Sequence, residues 1–98
     1  MTTLHRASQT GDYAEALRYI QEGSDVNAKD SSGYTPLHWA ADMGAEEGDR
    51  AKIAEALIAA GADINAKDLD GYTPLATARI AEAEKIIADV IAHGATED

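Results

Sequence analysis

The sequence predicts an all-α solenoid built from three stacked helix-turn-helix units. Three glycines, Gly23, Gly61 and Gly94, close nearly the same phrase: EGSDVNAKD, AGADINAKD and HGATED. A second phrase, GYTPL, stands at Gly33–Leu37 and again at Gly71–Leu75. The spacings agree as well. Gly23 and Gly61 lie 38 residues apart, as do Gly33 and Gly71, while Gly61 and Gly94 are separated by 33. A repeat of this period decides the architecture before propensity does, because one copy cannot bury its own apolar face and must stack on the next. One copy therefore carries five extra residues.

Each unit reads as turn, helix, short link, helix. Thr2-Thr3 opens the first helix, over about Leu4–Gln9. Thr35-Pro36 and Thr73-Pro74 open its counterparts, over about Leu37–Met43 and Leu75–Ala81. Threonine caps free backbone N–H groups there, and proline at the first helical position gives up no needed donor. Second helices follow over about Tyr13–Glu22, Arg50–Ala60 and Glu84–His93, each stopped by glycine. Asp12 and Asp49 stand where side chains cap such helices. Ser24–Ser32 and Ala62–Asp70 carry the Asn, Asp and Gly of protruding turns. The five extra residues fall in MGAEEGDRAK, Met43–Lys52, where either a longer helix or a bulging loop fits. In the last unit Glu82 replaces the glycine expected between helices.

These phrases resemble the ankyrin repeat. DSSGYTPLHWAA, Asp30–Ala41, and AGADINAKDLDGYTPL, Ala60–Leu75, follow that family's pattern almost position by position. The resemblance covers the whole chain as one domain, 1–98, with units at about 1–29, 30–67 and 68–98. It implies units stacked side by side, hairpin-like β-turn fingers along one edge, and the shorter first helices lining a concave face. It also implies that His5 and His38 bond backbone and hydroxyl groups near the next finger. Departures from the pattern fall at the ends. Glu15 replaces the isoleucine of Ile53 and Ile86, Arg79 stands where the middle unit has Ala41, and Ala76 replaces His38. Polar groups there face water if units one and three are terminal, so a complete short stack is expected. A fragment is the alternative, since the first unit has no finger and Ile86, Ile87, Val90 and Ile91 form an apolar run.

Composition narrows the function. With 18 acidic and 8 basic residues the net charge is −10, which disfavours binding a nucleic-acid phosphate backbone and favours a basic or neutral partner. There is no cysteine, hence no disulfide and no thiolate metal site. The first twelve residues lack the apolar run of a signal peptide and no stretch is long enough to span a bilayer, so a cytoplasmic chain is expected. No catalytic constellation is evident. His5 and His38 occupy equivalent repeat positions, about 8–10 Å apart in stacked helices, too far to share one metal ion. Asp63, Asp68 and Asp70, and likewise Glu46, Glu47 and Asp49, miss the ligand spacing of a helix-loop-helix calcium site. Asp25 and Asp63, and Asn27 and Asn65, recur at fixed positions and read as turn-holding residues. The expectation is therefore no cofactor, no metal and no enzyme activity.

What remains is recognition. Tyr34 and Tyr72 follow the finger glycines, at a position that varies and contacts partners in the ankyrin family. Trp39 stands on the first helix of the central unit. Tyr and Trp bury large area at small entropic cost, which suits them to binding hot spots. The rival reading has Tyr34 packing on a neighbouring finger and Trp39 sealing the joint between repeats. Asp42, Met43, Ile80 and Ala81 hold the variable helix positions, with Leu69 and Asp70 at the last finger. The expected contact set is Tyr34, Trp39, Asp42, Met43, Leu69, Asp70 and Tyr72, with Ala45–Asp49 as a lip. A monomeric protein-binding scaffold is the leading reading. An acidic regulatory or inhibitory subunit using Glu46, Glu47 and Asp49, and a self-associating piece using Ile86–Ile91, are the alternatives.

Overall fold

The computed structural model describes residues 3–42 and 47–95. Six helices follow in order: α1 (Thr3–Thr10), α2 (Tyr13–Gln21), α3 (Pro36–Asp42), α4 (Glu47–Ala59), α5 (Pro74–Ala81) and α6 (Glu84–Ala92). Each odd-numbered helix packs on the even-numbered helix that follows it. Between units, α3 packs against both α1 and α5, and α4 against both α2 and α6. The result is two helical layers, and no strand occurs among the described residues.

The repeated leucines and alanines form continuous columns through the core. Leu4, Leu37 and Leu75 are buried at equivalent positions of α1, α3 and α5, and Ala7, Ala40 and Ala78 lie one turn on. Each leucine contributes about 1.5–3 kcal/mol of burial. The alanines let the helices approach closely. In the other layer Ile53 and Ile86, then Leu57 and Val90, carry the column onward. Glu15, which interrupts it, lies half-buried and pairs with Arg18 at 3.6 Å.

Helix ends follow local chemistry. Asp12 caps α2 by accepting the Glu15 N–H at 3.1 Å. Thr73 caps α5 by accepting the Ala76 N–H at 3.2 Å, with Pro74 at the first position. Gly23, Gly61 and Gly94 end the second helices with φ of 91°, 97° and 100°. The residue after each returns an N–H to the last turn: Ser24 to Tyr19 O, Ala62 to Leu57 O and Ala95 to Val90 O.

Two expectations are corrected. Asp49 does not cap α4. The helix begins two residues earlier, at Glu47, and runs 13 residues against nine in α2 and α6. Much of the insertion thus lengthens a helix, with Asp49 inside the first turn, where a carboxylate suits the positive helix end. Met43–Glu46 lie outside the described residues, so the proposed lip is represented only by the start of α4.

Glu82 adopts the left-handed conformation, φ 59° and ψ 36°, that the chain takes with glycine at Gly11 in the first unit. Its side chain is exposed. The left-handed region costs a residue bearing Cβ about 1–2 kcal/mol, part of which glycine returns as backbone entropy. Glu82→Gly is therefore expected to stabilise the protein by about 0.5–1 kcal/mol. A urea midpoint equal to or below that of the parent would contradict this account.

Candidate concave-face binding site

The fingers are tight turns locked by aspartate. Asp30 Oδ1 accepts the N–H groups of Ser32 and Tyr34 at 2.9 and 3.0 Å, and the Asp30 N–H donates to Tyr34 O at 2.9 Å. Asp68 repeats the arrangement with the N–H groups of Asp70 and Tyr72, both at 2.9 Å. Asp25 and Asp63 hold the finger bases by accepting the Asn27 and Asn65 N–H groups. Asn27 works across units instead of within its own turn. Its amide donates to Gly61 O at 3.3 Å and accepts the Asp63 N–H at 2.6 Å. The Leu69 N–H donates to Ser32 O at 3.1 Å, and Lys29 Nζ donates to Lys67 O at 2.9 Å, so the fingers form one stitched edge.

The histidines fasten each first helix to the next finger. His5 Nε2 meets Tyr34 O at 2.8 Å, and His38 Nε2 meets Tyr72 O at 2.9 Å. A carbonyl only accepts, so Nε2 carries the proton. His38 Nδ1 is then the acceptor, taking the Thr35 N–H at 3.2 Å and the Thr35 hydroxyl at 2.9 Å. Burial is the main cause that holds the His38 pKa below its usual value. Both histidines are structural.

Between these fingers and the exposed side of α3 and α5 lies a groove of about 390 Å³. Tyr34, Trp39, Asp42, Asp70 and Tyr72, five of the residues expected at a contact surface, line it together. Ser32, Asp68, Thr77 and Ile80 complete it. Met43 lies outside the described residues. Leu69 is 77% exposed beside the finger tip and is not part of the lining.

The aromatics divide between the two readings given above, with Tyr72 standing free and Tyr34 and Trp39 packed on the scaffold. Tyr72 is exposed, at 48%. Trp39 is half-buried: its indole donates to Asp30 Oδ2 at 2.8 Å, and its ring meets Tyr34 edge-on at 5.0 Å. Tyr34 stacks on His38 with ring centroids 5.0 Å apart and hydrogen-bonds the Thr77 side chain of the next unit. Tyr34 and Trp39 therefore build the wall of the groove, while Tyr72 and Ile80 offer its free apolar surface. Ile80 is 71% exposed. The Thr77 position was recognisable beforehand, because it lies in register with Trp39.

The groove is acidic. Asp42, Asp68 and Asp70 line it, and no basic residue among those described does. Burial, then the charges of Asp42 and Asp68, push the Tyr34 hydroxyl above its ordinary pKa. Burial also pushes Asp30 upward, but the Trp39 indole and the N–H groups of Tyr34 and Ser32 outweigh it and hold this carboxyl below its usual value.

Comparison with known proteins agrees with this architecture. The family model for ankyrin repeats in three copies matches residues 4–97, and the chain belongs to that family. Ankyrin repeats generally mediate protein–protein interaction, and the family is typically non-catalytic. The chain is 42% identical over 55 residues to acyl-CoA-binding domain-containing protein 1 of Arabidopsis thaliana, covering 56% of this chain and 15% of that one. It is 54% identical over 50 residues to protein phosphatase 1 regulatory subunit 12A of Mus musculus, covering 50% of this chain and 5% of that one. The shared region is thus a small part of each relative. No helix among the described residues is long and apolar enough to cross a membrane.

Proposed function

We propose that this chain is a non-catalytic protein-binding module, acting in the cytoplasm as a monomer, that docks a partner on its concave face and finger tips. The supporting observation is the groove itself. It is preformed, so docking orders little of the scaffold and more of the buried area is kept as affinity. Its exposed residues Tyr72, Ile80, Asp42 and Asp70 make no packing contribution to the core. Their character favours a partner with apolar groups beside basic ones, consistent with the net charge of −10. The apolar run once open to self-association is largely consumed in the stack: Ile86 and Val90 are buried, Ile87 is half-buried, and Ile91 alone of the four is exposed.

A photoreactive residue at Ile80 is expected to cross-link a partner protein, whereas one at Glu84, exposed on the second-helix layer, is not. Capture of the same partner equally from both positions would remove the concave-face reading. The identity to a phosphatase regulatory subunit favours, as a second reading, a regulatory role exercised through the same surface.

A further inference from the structure

Asp30 and Asp68 hold the same place in successive fingers, yet their second oxygens have different fates. Asp30 Oδ2 accepts the Trp39 indole N–H at 2.8 Å. One repeat later, Thr77 stands where Trp39 stood. Asp68 Oδ1 is occupied by its two turn N–H groups, but Oδ2 accepts no hydrogen bond from the described residues. Asp68 is only 8% exposed, and it lines the groove. No buried side-chain oxygen among the described residues lacks a partner, so Oδ2 keeps its exposure at the groove, where an arriving N–H group can take the place of water.

The surroundings specify that group further. Asp42 and Asp70 add negative charge, so the donor should be cationic. The rings of Tyr34, Trp39 and Tyr72 line the same groove, and flat cations stack on aromatic faces. A guanidinium meets every requirement. It is planar, always charged, and carries five N–H donors with weaker hydration than an ammonium.

We propose that the groove is a receptor for an arginine side chain of a partner protein, with a guanidinium N–H donating to Asp68 Oδ2. Asp42 and Asp70 neutralise its charge, and the aromatic wall receives its flat face. This rests on the concave-face reading and names the chemistry recognised there.

The test is NMR titration of the isolated chain with blocked pentapeptides, Gly-Gly-Xaa-Gly-Gly, where Xaa is arginine, lysine or citrulline. The arginine peptide is expected to shift the amide signals of Asp68, Asp70, Tyr72 and Thr77. Lysine should bind at least about fivefold more weakly, and citrulline, flat but uncharged, at least about tenfold more weakly. Asp68→Asn keeps the acceptor for the two turn N–H groups but replaces Oδ2 by a donor. Thr77→Trp places an indole where Trp39 satisfies Asp30. Each is expected to weaken arginine binding by about tenfold or more. Asp42→Asn, at an exposed position, should weaken it by severalfold even if the other two variants fold poorly. Absent shifts, equal response to lysine, or undiminished binding by folded variants would each overturn the assignment. If arginine fails while Ile80 still cross-links a partner, the inference falls and the concave-face reading stands. Cross-linking from Glu84 alone would sink that reading instead.

Discussion

Replacing Gly33 by alanine is expected to cost about 2–4 kcal/mol, whereas the same change at Gly71 costs only about 0.5–1 kcal/mol. The two glycines occupy one repeat position with nearly equal φ, 78° and 85°, so the backbone penalty is common to both. Only their surroundings differ. A Cβ at Gly33 would lie 2.8 Å from Leu69 N and 3.0 Å from Asp68 Cα, against the backbone of the next finger. At Gly71 nothing lies within 4 Å. Backbone cannot rotate aside as a side chain does, so relief at Gly33 requires parting the fingers and stretching the bond from Leu69 N–H to Ser32 O. Urea unfolding of both variants measures the difference. Equal losses would show that the inter-finger approach contributes nothing.

His38→Ala should be the other large effect, about 3 kcal/mol, because the side chain is fully buried and its removal strands the Thr35 N–H, takes the acceptor from the Thr35 hydroxyl and leaves Tyr72 O with the Asp68 N–H alone. The loss should depend on pH in a definite sense. The folded-state pKa of His38 lies below the reference value of 6.5, with burial as the main cause. Protonation of Nδ1 would also end its role as acceptor for Thr35. The unfolded chain therefore takes up the proton first. The stability His38 provides is complete above pH 6.5 and is lost as pH falls from there through the folded pKa. The gap between wild type and His38→Ala should accordingly narrow from pH 7.5 to pH 5.5. A gap that widens on acidification would reverse the sign of the linkage.

Most of the architecture was legible because repetition averages out local ambiguity. A single TPL phrase is a weak helix start, but two in register, each followed by a glycine stop 26 or 21 residues after its threonine, leave few alternatives. Glu82 was legible as a broken rule, and the backbone shows its strain. The start of α4 was not readable, since Gly48 argues for a turn while tertiary packing against α2 and α6 decides otherwise. The groove was half readable. Alignment placed Tyr34, Trp39, Asp42, Asp70 and Tyr72 along one edge, but not the rotamers that turn Trp39 onto Asp30 and leave Asp68 facing the opening. Those depend on which donor reaches which oxygen, a matter of ångströms that a repeat pattern does not encode.

The histidine bonds have a direction: each runs from one unit forward to the next, His5 to Tyr34 O and His38 to Tyr72 O. The middle copy is thus both held and holding. For it to come loose, two seams must part together, whereas an outer copy gives up only one. Though assembled from interchangeable parts, the protein should melt as a single body, and any fraying should begin at its margins.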